Sequence, residues 1–374
     1  MRIPLTDLAA QYAGIKDEID GAVRRVISSG SFILGPEVEA FEQEMAAYCG
    51  TSHAVGVASG TDALQLALLA CGVGPGDEVI TTPFTFIATT EAIVSCGATP
   101  VFADIEPETF NLDPSLVEQH ITPRTKALVP VHLYGHPCDM TRIVEIARRH
   151  GLKVIEDCAQ ALGATWMDQH VGCFGDAGCP SFSPSKVPGA YGDGGMVVTN
   201  DADVAERVRI LRNHGGRVKY YHGVNGFNSR LDALQAAVLR VKLGHLNAWL
   251  KRRREIAAAY KDGLANIEDI ATPTVADGAV HAFNYYTIRV AGGAQRRNAL
   301  AALLKSHGIA SAVYYPLALH LQVAYRQLGH APGGFPVAEV AQEAVLSLPI
   351  YPEMTVQVTG ETVNSIRAMV LDSA

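Results

Sequence analysis

Short apolar strands alternate with helical patterns from residue 53 to residue 210, and this alternation restricts the chain to few folds. His53–Ala58 reads as a buried strand that runs directly into Ser59-Gly60-Thr61-Asp62 and the helix Ala63–Ala70. Glu78–Thr81 is a strand, followed by a helix ending at Cys96 and a strand over Pro100–Ala103. The pattern continues with strand Ala127–Val131, helix Thr141–His150, strand Lys153–Ile155, strand Met196–Thr199 and a helix through Val208. Neighbouring parallel strands need crossover connections, and helices supply them. The expected fold class is therefore α/β, with a mostly parallel sheet flanked by helices on both faces. In such sheets ligands bind beyond the carboxyl ends of the strands. Ser59-Gly60-Thr61, Thr85-Phe86 and Glu156-Asp157-Cys158 all fall at those ends.

Outside this region, Tyr12–Ile27 has a helical pattern. Glu37–Tyr48 places Val38, Phe41, Met45 and Tyr48 at helical spacing. Ser229-Arg230-Leu231-Asp232 opens a long helical pattern that runs to Tyr260, with Arg252, Arg253 and Arg254 read as a solvated face. A strand (Tyr285–Val290), a helix (Arg296–Ser306) and a strand (Ala312–Tyr315) follow. This divides the chain into a large domain, residues 1–240, and a smaller C-terminal α/β domain, residues 241–374.

Composition narrows the function classes. An apolar fraction of 48% with 18% charged residues supports a well-buried core rather than a disordered chain. A net charge of −8 argues against a nucleic-acid surface. The seven cysteines form no CxxC pair, no secretory segment opens the chain, and no apolar run has the length of a membrane span. A soluble cytoplasmic protein with reduced thiols is expected.

Two stretches carry the chemistry. Lys186 stands in Ser181-Phe-Ser-Pro-Ser-Lys-Val-Pro-Gly-Ala-Tyr-Gly-Asp-Gly-Gly195, a run of hydroxyl residues and glycines before a strand. Asp157 ends an earlier apolar strand, 186 − 157 = 29 residues before it. A lysine that can form a Schiff base, facing a carboxylate that can hold a protonated pyridine nitrogen, is how a protein handles pyridoxal phosphate. A solvated lysine and a structural salt bridge are the plainer alternatives. Ser59-Gly60-Thr61 at a helix start suits a phosphate, although an ordinary N-cap has the same composition. Gln160 can reach the cofactor's phenolic oxygen, Phe86 can lie against its ring, and Ser181 can add a hydroxyl to the phosphate site. Gly72-Val-Gly-Pro-Gly-Asp77 connects a helix to a strand and is a structural turn, the reverse of a phosphate loop. His132 and His136 lack a zinc signature, so no metal is expected, and Cys158 reads as a small buried hydrophobe.

Taken in order, these motifs resemble the sugar aminotransferases of the DegT/DnrJ/EryC1/StrS family, a branch of the fold type I pyridoxal phosphate enzymes. The resemblance spans Gly35-Pro36, Ser59-Gly-Thr-Asp-Ala-Leu64, Gly74-Pro-Gly-Asp-Glu-Val-Ile80, Thr85-Phe86 and Pro130-Val-His-Leu-Tyr-Gly135. It continues through Glu156-Asp157, Gly192-Asp-Gly-Gly195, Asn228-Ser-Arg-Leu-Asp232, Gln235-Ala-Ala237, Tyr315-Pro316 and Ser347-Leu-Pro349. It implies that Lys186 carries the internal aldimine and shuttles protons, and that Asp157 binds the pyridine nitrogen. It also implies that Gln160 binds the phenolic oxygen, that Phe86 stacks on the ring, and that Gly60, Thr61 and Ser181 hold the phosphate. The residue matching Asn228 reaches the neighbouring subunit's phosphate, which implies a homodimer with shared sites.

The family's chemistry is a ping-pong transfer, with L-glutamate the expected amino donor. Gly192-Asp193-Gly-Gly together with Asn228-Ser-Arg230 is similar to members that aminate carbon 3 of a dTDP- or UDP-linked keto sugar. Amination at carbon 4, or dehydration on the same scaffold, is the alternative, and a catalytically silent regulatory member is the non-enzyme alternative. Arg230, Tyr315 and His320 are the candidate substrate contacts. Val187-Pro188 and Ser183 depart from the family's usual pattern beside the lysine.

Overall fold

A computed structural model describes residues 2–371. Its centre is a seven-stranded sheet in the order His53–Val57, Gly195–Thr199, Ala177–Cys179, Lys153–Asp157, Thr125–Leu128, Glu78–Thr81, Thr99–Phe102. Every neighbouring pair is parallel except those made by Gly195–Thr199, which runs antiparallel to both of its neighbours. The strands are buried almost throughout, because helices cover both faces. On one face, Gly60–Ala70, Ala88–Ser95 and Ala202–Arg212 enclose a core with Val55, Val79, Ile155 and Val197. On the other, Pro36–Cys49 and the start of the long helix pack on Met196, Val198 and Phe182.

The expected elements are present, with ends displaced by a few residues. Lys16–Ser29, Pro36–Cys49, Gly60–Ala70 and Met140–His150 are helical, as the 3.6-residue periodicity requires. Ala312–Tyr315 is not a strand: Ala312 alone bridges to Ser347, and Tyr314 and Tyr315 line a cavity instead. The C-terminal part carries a three-stranded antiparallel sheet, Ile270–Ala271, Tyr286–Val290 and Val345–Leu348, covered by Gly293–Ser306 and Val356–Leu371. Among the described residues no helix is long and apolar enough to cross a membrane, and all seven cysteines are unpaired.

The helix Ala233–Leu264 joins the two parts of the chain, and the 240/241 division falls within it. Its first half contributes Ala233, Ala236, Ala237 and Leu239 to the core around the central sheet. Its last two turns contribute Ile256, Ala257, Tyr260 and Leu264 to the C-terminal core. The three arginines do not share a solvated face. Arg253 is 3% exposed and donates from Nη1 to the carbonyls of Phe283 (3.0 Å), Asn284 (3.4 Å) and Ile350 (3.0 Å). A run of like charges on a 3.6-residue period points in different directions, so the middle residue faces the core. Burial holds its guanidinium down at about 10, with Glu353 acting in the opposite sense.

Arg253→Met leaves these carbonyls without a buried donor. It is expected to lower the unfolding free energy by about 3 kcal/mol, measured by denaturant titration, whereas Arg254→Met at a less buried neighbouring position should change it by less than about 0.5 kcal/mol.

Candidate active site

A cavity of about 410 Å³ opens at the carboxyl ends of the strands. Its floor is Asp157, the last residue of Lys153–Asp157, 5% exposed. Oδ2 accepts a hydrogen bond from Thr89 Oγ1 (2.8 Å), and Oδ1 accepts one from the Ala159 amide (3.1 Å). Thr89 lies 3.2 Å from Thr85 Oγ1, so a pair of hydroxyls one helical turn apart backs the carboxylate. No cation pairs with Asp157 in an ion pair among the described residues. Burial pushes its acidity weaker than usual, against the opposing pull of Thr89, the Ala159 amide and Lys186. Such a group gains most from a cation delivered into the cavity.

Lys186 lines the same cavity, on an arch closed by the Lys186 amide donating to the Ser183 carbonyl (2.8 Å). Its Nζ sits 5.7 Å from the Tyr285 ring centroid. The third wall is the start of the helix Gly60–Ala70. Ser59 caps it, accepting from the Asp62 amide at 3.1 Å, while Gly60 and Thr61 line the cavity beside Ser181, Ser183 and Ser185. A Cβ on Gly60 would stand 2.5 Å from Ser181 Cβ, so glycine is what lets the two segments meet. Aligned first-turn amides with nearby hydroxyls form an anion site. Phe86 is 54% exposed and tilts toward Tyr315, with ring centroids 6.1 Å apart. Gln160 accepts from the Tyr134 amide (2.8 Å) and donates to the Tyr315 hydroxyl (3.0 Å).

Gly60, Thr61, Phe86, Asp157, Gln160, Ser181, Lys186 and Tyr315 therefore converge on one cavity. Arg230 and His320 do not, and Asn228, which the resemblance assigns to the neighbouring subunit's site, lies outside this one. Asn228 is exposed on the loop that ends at Ser229. Arg230 donates to Asn213 Oδ1 (3.0 Å) and faces a separate cleft formed by that loop, rather than pairing with Asp232. His320 is a correction to the expected substrate contact: its ring is enclosed, bonded to Glu339 (3.0 Å) and packed on Phe335 (4.7 Å between centroids). Its apolar neighbours in the chain, Leu319 and Leu321, belong to the same short helical turn, which turns the ring inward.

Thr89, Ser185, Tyr285 and Tyr314 line the cavity without having been singled out, together with Thr85, noted at its strand end, and Ser183, noted beside the lysine. The Thr85/Thr89 spacing at a strand exit was a usable signal. Tyr285 and Tyr314 arrive from the C-terminal part and leave no local trace.

His132, Glu156 and Cys158 bring ligand atoms within 4.8 Å of one another just beneath the site. Glu156 accepts from the amides of Gly172 (2.7 Å), Phe174 (2.8 Å) and Gly175 (2.9 Å), and shares a 3.0 Å hydrogen bond with His132 Nε2. This is a hydrogen-bond hub that fixes the sheet end carrying Asp157. Cys158 is buried, and its thiol is held well above the usual range by burial, the condition of an inert core cysteine.

Lys186 and the buried Asp157 line one cavity at the carboxyl ends of this sheet, and the fold is that of the fold type I pyridoxal phosphate transferases. Residues 13–367 match the DegT/DnrJ/EryC1/StrS aminotransferase family, and the chain belongs to it. It is 51% identical to a pleiotropic regulatory protein of Geobacillus stearothermophilus, over 95% of each chain. It is 49% identical to the dTDP-3-amino-3,4,6-trideoxy-alpha-D-glucose transaminase of Streptomyces venezuelae, over 94% of this chain and 92% of that one. The crystal structure of S. venezuelae DesV in complex with a ketimine intermediate superposes with a TM-score of 0.96 at 47% identity, covering 99% of this chain and 98% of that one. The protein is an aminotransferase of this family.

The unpaired, buried state of Asp157 sets a signed expectation. With its acidity weakened by burial, the folded apoprotein loses stability as pH rises through the raised pKa, and the cost persists at pH 8. Asp157→Asn should therefore raise the thermal midpoint of the apoprotein at pH 8, while reducing turnover on the order of 100-fold. A lowered midpoint would show that the carboxylate is paired in the folded chain.

Proposed function

We propose that this protein uses pyridoxal phosphate to move an amino group from L-glutamate to carbon 3 of a dTDP- or UDP-linked keto sugar. The observation that carries the reading is the convergence of Lys186, the buried Asp157 and the amide-rich start of Gly60–Ala70 on one cavity. The donor set fits the cofactor: an amine for its aldehyde, a buried carboxylate for its ring nitrogen, and amides with hydroxyls for its phosphate. When bound, pyridoxal phosphate supplies an electron sink for carbanion formation.

The remaining work falls to the chain. Lys186 holds the cofactor and then moves a proton to and from the reacting carbon. Asp157, its orientation fixed by Thr89 and the Ala159 amide, keeps the ring nitrogen protonated. Gln160 is pinned at both ends of its amide and addresses the phenolic oxygen. Gly60, Thr61 and Ser181 hold the phosphate, and Phe86 offers the exposed ring face on which a flat cofactor can stack. Burial pushes the Tyr314 hydroxyl up to about 12, so it stays a neutral hydrogen-bonding group on the cavity wall.

Asn228 and Arg230 lie outside their own chain's cavity, which supports a homodimer in which they serve the partner's site. The exposed Val218, Tyr220 and Tyr221 on the same loop fit burial against a second copy. The name of the Geobacillus relative favours weighing a regulatory role, and the intact Lys186–Asp157 pair stands against a silent site. Cytoplasmic residence accords with the seven unpaired cysteines.

Cofactor-loaded protein is expected to absorb in the visible range and to bleach on addition of L-glutamate, with 2-oxoglutarate released in equal amount. NMR of the sugar product would then locate the new nitrogen at carbon 3. Lys186→Ala should lower the turnover at least about 1000-fold. Full colour with no response to any amino acid would overturn the transferase reading in favour of a regulatory one.

A further inference from the structure

One cation in the core is not explained by the chemistry of the site. Lys242, in the third turn of the helix Ala233–Leu264, is 0% exposed, and its Nζ donates to the carbonyl of Gly189 at 2.6 Å. The same ammonium stands 4.2 Å from the ring centroid of Tyr191. It forms no ion pair among the described residues. Two turns earlier on the same helix, Gln235 accepts from the Tyr191 amide (2.8 Å) and donates to the Tyr191 carbonyl (3.3 Å). The helix therefore grips residues 189–191 by two polar side chains.

Those residues form the far leg of the arch that carries Lys186. Its near leg is tied by Ala190 N donating to Phe182 O (2.7 Å), and a Cβ on Gly189 would collide with the Pro184 carbonyl. The arch is thus closed on itself; Phe182, Val187 and Ala190 pack on the apolar side of the long helix, and among the described residues the hydrogen bonds from the arch to that helix are those of Lys242 and Gln235. Burial pushes Lys242 down to about 8, opposed only by Glu353. A methionine of similar length would fill the space without that desolvation cost, so packing alone does not account for a lysine.

We propose that Lys242 is a positioning residue: by holding the Gly189 carbonyl it fixes the arch so that Lys186 projects into the cavity toward Asp157. The inference rests on the reading of Lys186 as the cofactor-attaching lysine. It assigns to the helix that joins both parts of the chain a second task, the aiming of the reactive amine.

The test compares apoprotein of wild type and Lys242→Met, mixed with pyridoxal phosphate and sampled with borohydride. The readouts are the rate at which reduced cofactor appears on Lys186 by peptide mass, and hydrogen exchange of residues 182–192. Losing a hydrogen bond from a charged donor is expected to slow capture roughly 10-fold and to speed exchange in that peptide by a similar factor, with exchange in the central strands unchanged. Wild-type capture and exchange in Lys242→Met would overturn the proposal and leave Lys242 as core filling. If that variant does not fold, Lys242→Gln decides in the same assay, since its shorter stem stops short of Gly189. Absence of reduced cofactor on Lys186 in the wild type would instead overturn the functional reading beneath it.

Discussion

The structure turns on a carboxylate kept in the core with no ion-pair partner among the described residues. Asp157 is buried at a strand end, oriented by a threonine and a backbone amide, and disfavoured in its charged form by desolvation. Everything around it serves either to hold that carboxylate in place or to present groups to the space above it. Glu156, the residue before it, points to the other side of the strand and gathers three backbone amides and His132. Adjacent strand residues face opposite ways, so one acidic residue is structural and its neighbour is free for a ligand.

A second dependence concerns distance along the chain. The cavity draws on residues from Ser59 to Tyr315, and no single segment supplies more than one wall. The central sheet fixes Asp157 and the helix start at Gly60, because parallel strands place their carboxyl ends together. The C-terminal part then adds Tyr285, Tyr314 and Tyr315. Its attachment depends on the long helix and on Arg253, which ties the carbonyls of Phe283, Asn284 and Ile350 to that helix. The same helix reaches the lysine arch through Lys242 and Gln235. One rigid element therefore sets the relation among the sheet, the arch and the tyrosine wall.

Much of this was legible beforehand, and the exceptions have causes. The strands and helices of the central layer were readable because each buries a periodic apolar face. Asp157, Gln160 and Phe86 stood out by residue type at or just beyond strand ends, and Lys186 by its run of hydroxyl residues and glycines. Ala312–Tyr315 was misread as a strand because its tyrosines carry strand propensity, yet only Ala312 finds a partner and the rings turn into the cavity. Arg253 was misread because a run of three arginines looks solvated, and nothing local reveals three carbonyls waiting in the core. His320 was expected at the substrate, and its ring is instead enclosed by Phe335 and Glu339.

The sequence by itself determined the layered α/β fold, the Ser59-capped helix start and which lysine and aspartate come to line the cavity. Each of those depends on local periodicity or on residue type at an element's end, and both are written in short stretches of chain. Only the tertiary structure decided that Asp157 forms no ion pair among the described residues, that Thr85 and Thr89 back it, that Arg230 faces away from its own cavity, and that Lys242 grips the arch. These depend on which distant segments share a neighbourhood. Long-range packing and the cost of burying charge settle that, and neither is encoded in any one stretch.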